Sequence, residues 1–460
     1  MKKLLLALPV AAGVAGASWA GTTAWVGAES RDAYEALVRD LRAYAMGLEV
    51  VNAGYESGFL RSVATTEFRP AGKPEAEPLL RLRHVIEHSP VALGEAPRLG
   101  AARAVTTLDR SAFSEALRAL LAGFGEADPV RLVTTVGLGG ESVHELTLAP
   151  YEHEIDGTRV ASREGVWDVT VDEALRMVGT GRFGGLDVES AEGSLSVGAW
   201  EDRFDYRLQA DGGWPEGRYE ASLASVVQRV PALGTELAFE DVDVEATSSV
   251  EGERAGSAVR VDVARVDAPI EVDRMSLSFA LEGLDAGAYE RYAGLVYASP
   301  FLATSEAELA AMAPDAVLAE AEAVFGALLE TVVPGTGLDL ALTLGNAGGA
   351  AEASLSLGFA GDGSPSGRGS IRTVGDLLGA LEASASVGAD DAALALTPAA
   401  MLLDPAALAP WVERDGGRWT SEARLADLVL DVNGNELPLA MMLGEALDAP
   451  LAWPEAPAAD

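Results

Sequence analysis

The hydrophobic and polar positions of this chain follow two rhythms. From Arg31 to Met46 the rhythm is helical: Tyr34, Leu37, Val38, Leu41 and Tyr44 share one face, and Ser30 stands where a cap belongs. From Gly54 to Pro70 the period drops to two. Phe59, Arg61, Val63, Thr65 and Glu67 fall on one side, and Leu60, Ser62, Ala64, Thr66 and Phe68 on the other, until Pro70 ends the run. Similar short runs recur over 132–148, 165–170, 186–197, 204–210, 219–227, 237–246, 258–266 and 270–281, punctuated by glycine. Stretches such as FEDVDVEATSSVEGE set acids against Phe239, Val242 and Val244, which predicts strands with one solvated and one apolar face.

Helical spacing returns in three places. Ser111 to Phe124 carries Phe113, Leu117, Leu120, Leu121 and Phe124; Asp285 caps a helix running to Leu295; Pro314 to Val333 holds the rhythm for several turns. Strands resume over 338–344 and 353–360. A glycine- and serine-rich linker (361–370) and short helices near 374–382 and 398–408 follow. The last hairpin, Leu425 to Leu439, turns at Asn433-Gly434. The pattern predicts an α+β, β-rich fold: a large curved antiparallel sheet with several packed amphipathic helices. Residues 1–28 read as a signal anchor or signal peptide. Residues 29–450 read as the main domain, with a subdivision near 300–335, and 451–460 as a disordered tail.

Charge narrows the classes of partner. The 71 acidic residues face 33 basic ones, a net charge of −38, and the only lysines are Lys2, Lys3 and Lys73. Such a surface repels nucleic acid and anionic lipid surfaces, and it suits a salty medium. With no cysteine, disulfides, thiol catalysis and thiolate metal sites are all excluded.

The N-terminus sets the expected compartment. After Met1-Lys2-Lys3, residues Leu4 to Gly27 run without a charge. That exceeds the ~7–15 apolar residues of a signal-peptide core, and as a helix it spans a ~30 Å hydrocarbon layer. The lysines would stay inside and the remainder would face outward. The expectation is attachment to the cell inner membrane through residues 4–27, with the rest in the periplasm. Cleavage near Ala17 or Ala20 is the alternative, but the apolar run continues past both.

Several motifs resemble chemistry. His84-Val-Ile-Glu87-His88 spells a zinc-peptidase signature. The motif needs a helix to bring its histidines together. On a strand, at ~3.3 Å per residue, the two lie ~13 Å apart, too far for one zinc with ~2 Å bonds. Leu80, Leu82, His84, Ile86 and His88 alternate with their neighbours, and Ser89-Pro90 stops the run, so a strand from Leu79 to His88 is predicted. His144 and His153 also lie in alternating segments. Gly179-Thr-Gly181-Arg-Phe-Gly184 matches a dinucleotide fingerprint, but a helical-looking 172–177 precedes it and alternation follows, so a glycine-rich turn is predicted. Asp431-Val-Asn433-Gly434-Asn435 misplaces the glycine of a calcium loop. GSPSG (363–367) has proline where a hydrolase nucleophile would stand. No catalytic residue, metal ligand or cofactor is assigned.

In order along the chain, further motifs resemble the YdgA-like family of bacterial envelope proteins, a domain of unknown function. They are Tyr55-Glu-Ser-Gly58-Phe-Leu-Arg-Ser62, then His84 to Val91 with His88 and Pro90 at a strand end, Leu284-Asp285-Ala286 opening a helix, and Val432-Asn433-Gly434-Asn435. Ser89 departs from the family's usual glycine. The resemblance implies a periplasmic protein attached to the inner membrane and carries over no catalytic residue. The expected function is therefore a non-enzymatic, membrane-anchored protein whose apolar sheet face binds lipid or an envelope component. The alternatives are a metal-dependent envelope hydrolase using the His84/His88 segment and a structural or interaction scaffold.

Overall fold

A computed structural model of the chain describes residues 34–35, 38, 48–56, 61–70, 77–87, 91–92, 98–99, 102–113, 115–137, 141–209, 213–231, 234–267, 272–299, 314–360, 373–394 and 411–449. Among these, strands dominate, every registered strand pair is antiparallel, and helices are few. The α+β, β-rich expectation holds. Two compact units are present: Met1–Gly217 with Glu290–Val324, and Arg218–Tyr289 with Phe325–Asp460.

In the first unit nine strands pair in series: Leu48–Glu56, Arg61–Pro70, Leu80–Glu87, Ala102–Leu108, Val130–Val136, Ser142–Leu148, Gly165–Val171, Arg176–Phe183 and Trp200–Arg207. The segment 54–70 is thus not one strand but parts of two, paired from Leu48↔Pro70 to Glu56↔Val63 with a one-residue register shift between Asn52 and Gly54. The faces assigned by alternation hold: Ser62, Ala64, Thr66 and Phe68 are all buried. The core gathers Val50, Ala64, Phe68, Leu82, Ile86 and Ala104 under Tyr34 and Val38 of the N-terminal helix.

The second unit also pairs nine strands in series: Thr235–Glu251, Arg254–Asp267, Arg274–Asp285, Gly337–Asn346, Gly349–Phe359, Leu381–Asp390, Arg418–Ala426, Val429–Val432 and Asn435–Pro438. The final turn is as expected. Asn433 (φ 50°) and Gly434 (φ 79°) both adopt the left-handed conformation a two-residue hairpin requires.

Three local expectations change. Residues 172–177 are not helical: Asp172 Oδ1 accepts hydrogen bonds from the backbone N–H of Ala174 and Arg176, both at 2.9 Å. This Asx turn outcompetes a helix and launches the Arg176–Phe183 strand. The following glycines therefore form no turn. Gly179 and Gly181 sit inside that strand, where a Cβ would strike the Phe204 ring and the Trp167 indole, respectively. Finally, the helix expected near 374–382 stops at Gly379, and Leu381–Asp390 is a strand. Thr373 and Asp376 cap that helix reciprocally. The helices expected at Asp285 and Pro314 are present as Ala286–Ala298 and Pro314–Thr331. The segment 398–408 lies outside the described residues.

Gly181→Ala should cost about 1–3 kcal/mol by forcing the Trp167 indole or Asp202 aside. Gly294 lies within the Ala286–Ala298 helix with nothing near its Cβ position, so Gly294→Ala should stabilise by about 0.5–1 kcal/mol. Urea unfolding of both variants, followed by tryptophan fluorescence, checks the opposite signs.

Candidate functional site

His84 lies on the Leu80–Glu87 strand, not on a helix, and its ring is 5 % exposed. Both ring nitrogens are engaged. Nε2 lies 2.9 Å from Thr66 Oγ1, and Nδ1 lies 2.9 Å from Thr106 Oγ1. Register explains the contacts: Thr106 is directly opposite His84, and Thr66 sits diagonally across from it on the neighbouring strand, beside Ala64. The chain of contacts continues to Tyr34, whose hydroxyl is 2.8 Å from both the Thr65 carbonyl and Thr66 Oγ1.

The donors in this chain assign themselves. Tyr34 has one hydroxyl hydrogen and gives it to the Thr65 carbonyl. Thr66 must then donate to Tyr34, so it accepts from His84 Nε2–H. The remaining nitrogen, Nδ1, accepts from Thr106. His84 is therefore a neutral Nε2–H tautomer, and burial pushes its pKa down to about 4. Burial, only partly offset by Thr66, pushes the Tyr34 hydroxyl up to about 12.

A second buried histidine lies on the same face. His144 sits between Thr134 Oγ1 (3.0 Å) and Ser142 Oγ (2.8 Å), and burial pushes its pKa to about 4 as well. On the opposite face, Glu67 is buried between Arg69 and Arg81. Burial raises its carboxyl, but the hydrogen bonds and charges of the two arginines outweigh this and hold its pKa below the ordinary range.

The remaining motif positions are dispersed. Glu87 approaches Arg103 at 3.5 Å. Tyr55 stacks against Tyr34 at 5.7 Å, and Ser62 is fully buried. Asp285 Oδ1 accepts from the Ala288 N–H at 2.7 Å, as a helix cap. Asn433 donates to the Trp411 carbonyl at 2.7 Å. His88, Gly58 and Pro90 lie outside the described residues. Among the described residues no three His, Asp or Glu side chains gather as a metal site.

The second unit carries a different feature, which only the registers reveal. Val242, Val263, Met275, Leu344, Ala351, Ala389 and Trp419 align across seven strands. Because side chains alternate, the next positions on that face are Val261, Leu277, Leu342, Ala353 and Val387, followed by Val259, Phe279, Leu340, Leu355 and Ala385. No charged residue interrupts these rows. At about 4.8 Å per strand, the five strands common to all three rows span about 20 Å. The face is only partly covered: Leu277 and Phe279 are 37 % exposed, Leu340 39 % and Val387 55 %. The opposite face holds Ser278, Ala341, Ser354 and Ser386 in one row, with Glu245 and Arg260 at its end. A groove of about 420 Å³ lies over these small side chains.

A family model described as "Bacterial protein of unknown function (DUF945)" matches residues 1–440. The chain belongs to this family. No curated protein and no solved structure matches it. The expected membership in a bacterial family of unknown function holds. DUF945 membership brings no assigned chemistry, so a functional reading rests on the two features above.

The histidines predict acid sensitivity. Each is neutral when folded but titrates near 6.5 when unfolded, so the unfolded state binds more protons as pH falls from about 6.5 to about 4. Stability should be full above pH 6.5 and fall through that window, by up to about 3 kcal/mol per ring. Urea titrations at stepped pH check this. Tyr34→Phe strands the Thr66 hydroxyl hydrogen and should cost about 1–3 kcal/mol. Nitrogen-15 NMR of His84 should show the Nε2–H tautomer.

Proposed function

We propose that this DUF945 protein binds the acyl chains of lipid on the apolar face of its second unit. The observation that carries this reading is the uninterrupted apolar character of that face, together with the exposure of Leu277, Phe279, Leu340 and Val387. The largest apolar patch on an ordinary monomer measures roughly 300–600 Å² and is often functional. The three apolar rows, five strands wide, cover about 20 Å by about 15 Å, which reaches that range. It also offers a polar ligand no hydrogen-bonding partner in its central rows, so its occupant is aliphatic.

The reading is of a binding protein rather than an enzyme. His84 and His144 each commit both ring nitrogens to neighbouring hydroxyls, which leaves neither an imidazole lone pair nor an N–H for a substrate. The metal-hydrolase alternative has no geometry in its favour, since it needs His84 turned toward His88. We place the protein at the inner membrane with its folded units in the periplasm, anchored through residues 4–27. The uncharged run behind Lys2 and Lys3 supports this. Among the described residues no helix is long and apolar enough to cross a membrane, and residues 4–27 lie outside them.

Leu340→Glu and Val387→Glu place charges on the open face at positions that already meet solvent, so folding should persist. Lipid retained by the purified protein, counted by native mass spectrometry, should drop about tenfold or more in the double variant. Protein that carries no lipid and takes none from phospholipid micelles would sink the reading. A dimer abolished by the same variants would replace lipid with a second copy. Alkaline carbonate washing should leave the full-length protein in the membrane pellet; a shortened, soluble product would mean cleavage near Ala17 or Ala20.

A further inference from the structure

We infer that the first unit binds a quaternary ammonium group against Trp167 and Trp200, with Asp202 as its counter-charge. The site spans three neighbouring strands, Gly165–Val171, Arg176–Phe183 and Trp200–Arg207. Register sets Trp167, Gly181 and Asp202 side by side, and puts Phe183 opposite Trp200 in the next row of the same face. Asp202 Oδ2 accepts both indole N–H groups, from Trp200 at 2.8 Å and from Trp167 at 3.1 Å. Asp202 is 7 % exposed, and its Oδ1 is buried with no hydrogen-bond partner among the described residues.

A buried carboxylate is costly unless a cation pairs with it. The arginines beside this one in sequence and register are turned away or committed. Arg182 and Arg203 adjoin Gly181 and Asp202, and alternation sends both to the opposite face. Arg163 donates to the Gly184 carbonyl at 2.9 Å and to Asp187 at 3.4 Å. Two indole donors thus solvate one oxygen of Asp202, and the charge on the other has no partner in the chain's described residues.

The rings are placed to receive that partner. A Cβ on Gly181 would fall 2.1 Å from Trp167 Nε1, and one on Gly165 would fall 2.7 Å from Trp167 Cζ3. The indole therefore lies down across both glycines, one face on their backbone and the other turned away from the sheet. Trp200 meets Phe183 edge to face at 6.4 Å. All three rings are partly exposed, whereas Asp202 is buried. Aromatic faces attract a cation through their quadrupole, tryptophan most strongly. The carboxylate adds its attraction across the few ångströms between, so the cation needs no contact with Oδ1 itself. Trp167, Trp200 and Phe183 offer no hydrogen-bond acceptor. A primary ammonium or a guanidinium would leave most of its N–H donors unmet there. A quaternary ammonium has no such donor and needs only ring faces and a nearby negative charge.

The test is equilibrium dialysis of the full-length protein in detergent against radiolabelled choline. Choline should bind saturably, with one site per chain. Two competitors should be about tenfold weaker or more: dimethylbutanol, its neutral carbon isostere, and ethanolamine, its primary-amine counterpart. General attraction of cations to an acidic surface would not separate choline from ethanolamine. Asp202→Asn keeps an oxygen for the two indoles and replaces Oδ1 by an uncharged amide, so choline binding should weaken about tenfold. Trp200→Leu should do the same, and circular dichroism checks that both variants remain folded. A short-chain phosphatidylcholine that competes better than choline assigns the group to a lipid headgroup, and the reverse order assigns it to a free solute; either supports the site. No saturable binding, a competitor equal to choline, or unchanged binding in folded Asp202→Asn overturns the inference. Should neither variant fold, the two competitors on the unaltered protein still decide it.

Discussion

Antiparallel pairing passes the identity of a face from strand to strand, and everything else in this protein depends on that. A residue and its cross-strand partner point the same way, and a slip of one residue sends every side chain to the other side. In each unit nine strands in series hand on the face, with one register shift between Asn52 and Gly54 in the first unit. The one irregularity inside the second unit's central strands is absorbed locally. The register steps from Ser257↔Leu281 to Ala255↔Leu284, and Gly283 takes a φ of 73° within the extra residue. Arg254 and Thr336 both donate to the Gly283 carbonyl, which pins the bulge. The aliphatic rows therefore stay on one side from Val242 to Trp419.

The same geometry carries opposite chemistry in the two units. The buried face of the first mixes aliphatic side chains with Ser62, Thr66, His84, Thr134, Ser142 and His144. Burying such groups is costly unless each finds a partner, and here the hydroxyls and rings satisfy one another across strands. Directional contacts of this kind fix a register, because a shifted strand would leave them unmet. The corresponding face of the second unit has no such groups in its central rows. It is held in register by backbone pairing and by the charged opposite face, for example where Arg418 meets Glu352 of another strand at 3.1 Å. A face without directional groups tolerates an occupant of variable shape, which suits aliphatic chains.

The alternation was legible in the sequence: it correctly placed His84 on a strand and put Ser62, Ala64, Thr66 and Phe68 on one common face, which the structure buries. It could not say which strands are neighbours. The hydroxyl partners of His84 come from strands 18 and 22 residues away, a relation that no local pattern encodes. Leu381–Asp390 and Arg418–Ala426 escaped notice for a related reason. In the first, alanines on the apolar side (Ala383, Ala385, Ala389) face serines and a glycine on the other, and in the second Ser421 and Ala423 interrupt Trp419 and Leu425, so the contrast between the sides is weak. At 172–177 the aspartate side chain, acting on its own backbone, overrode a helical spacing. The open apolar face was visible only as a tendency in single strands, because its extent is a property of the registers.

A wide apolar face and a net charge of −38 belong to one physical arrangement. Left alone, such a face would draw two copies together and then more. On each strand the positions facing the other way carry much of the acid, including Asp243, Glu245, Asp262, Asp339, Glu352 and Asp431. Two copies approaching face to face bring these charges, and those at the strand ends, within each other's field, and the repulsion grows as the copies close. A lipid chain brings no such charge. Under the proposed acyl-chain binding, the acidic surface would select among apolar occupants, penalising another copy of the chain and leaving an uncharged acyl tail free to enter.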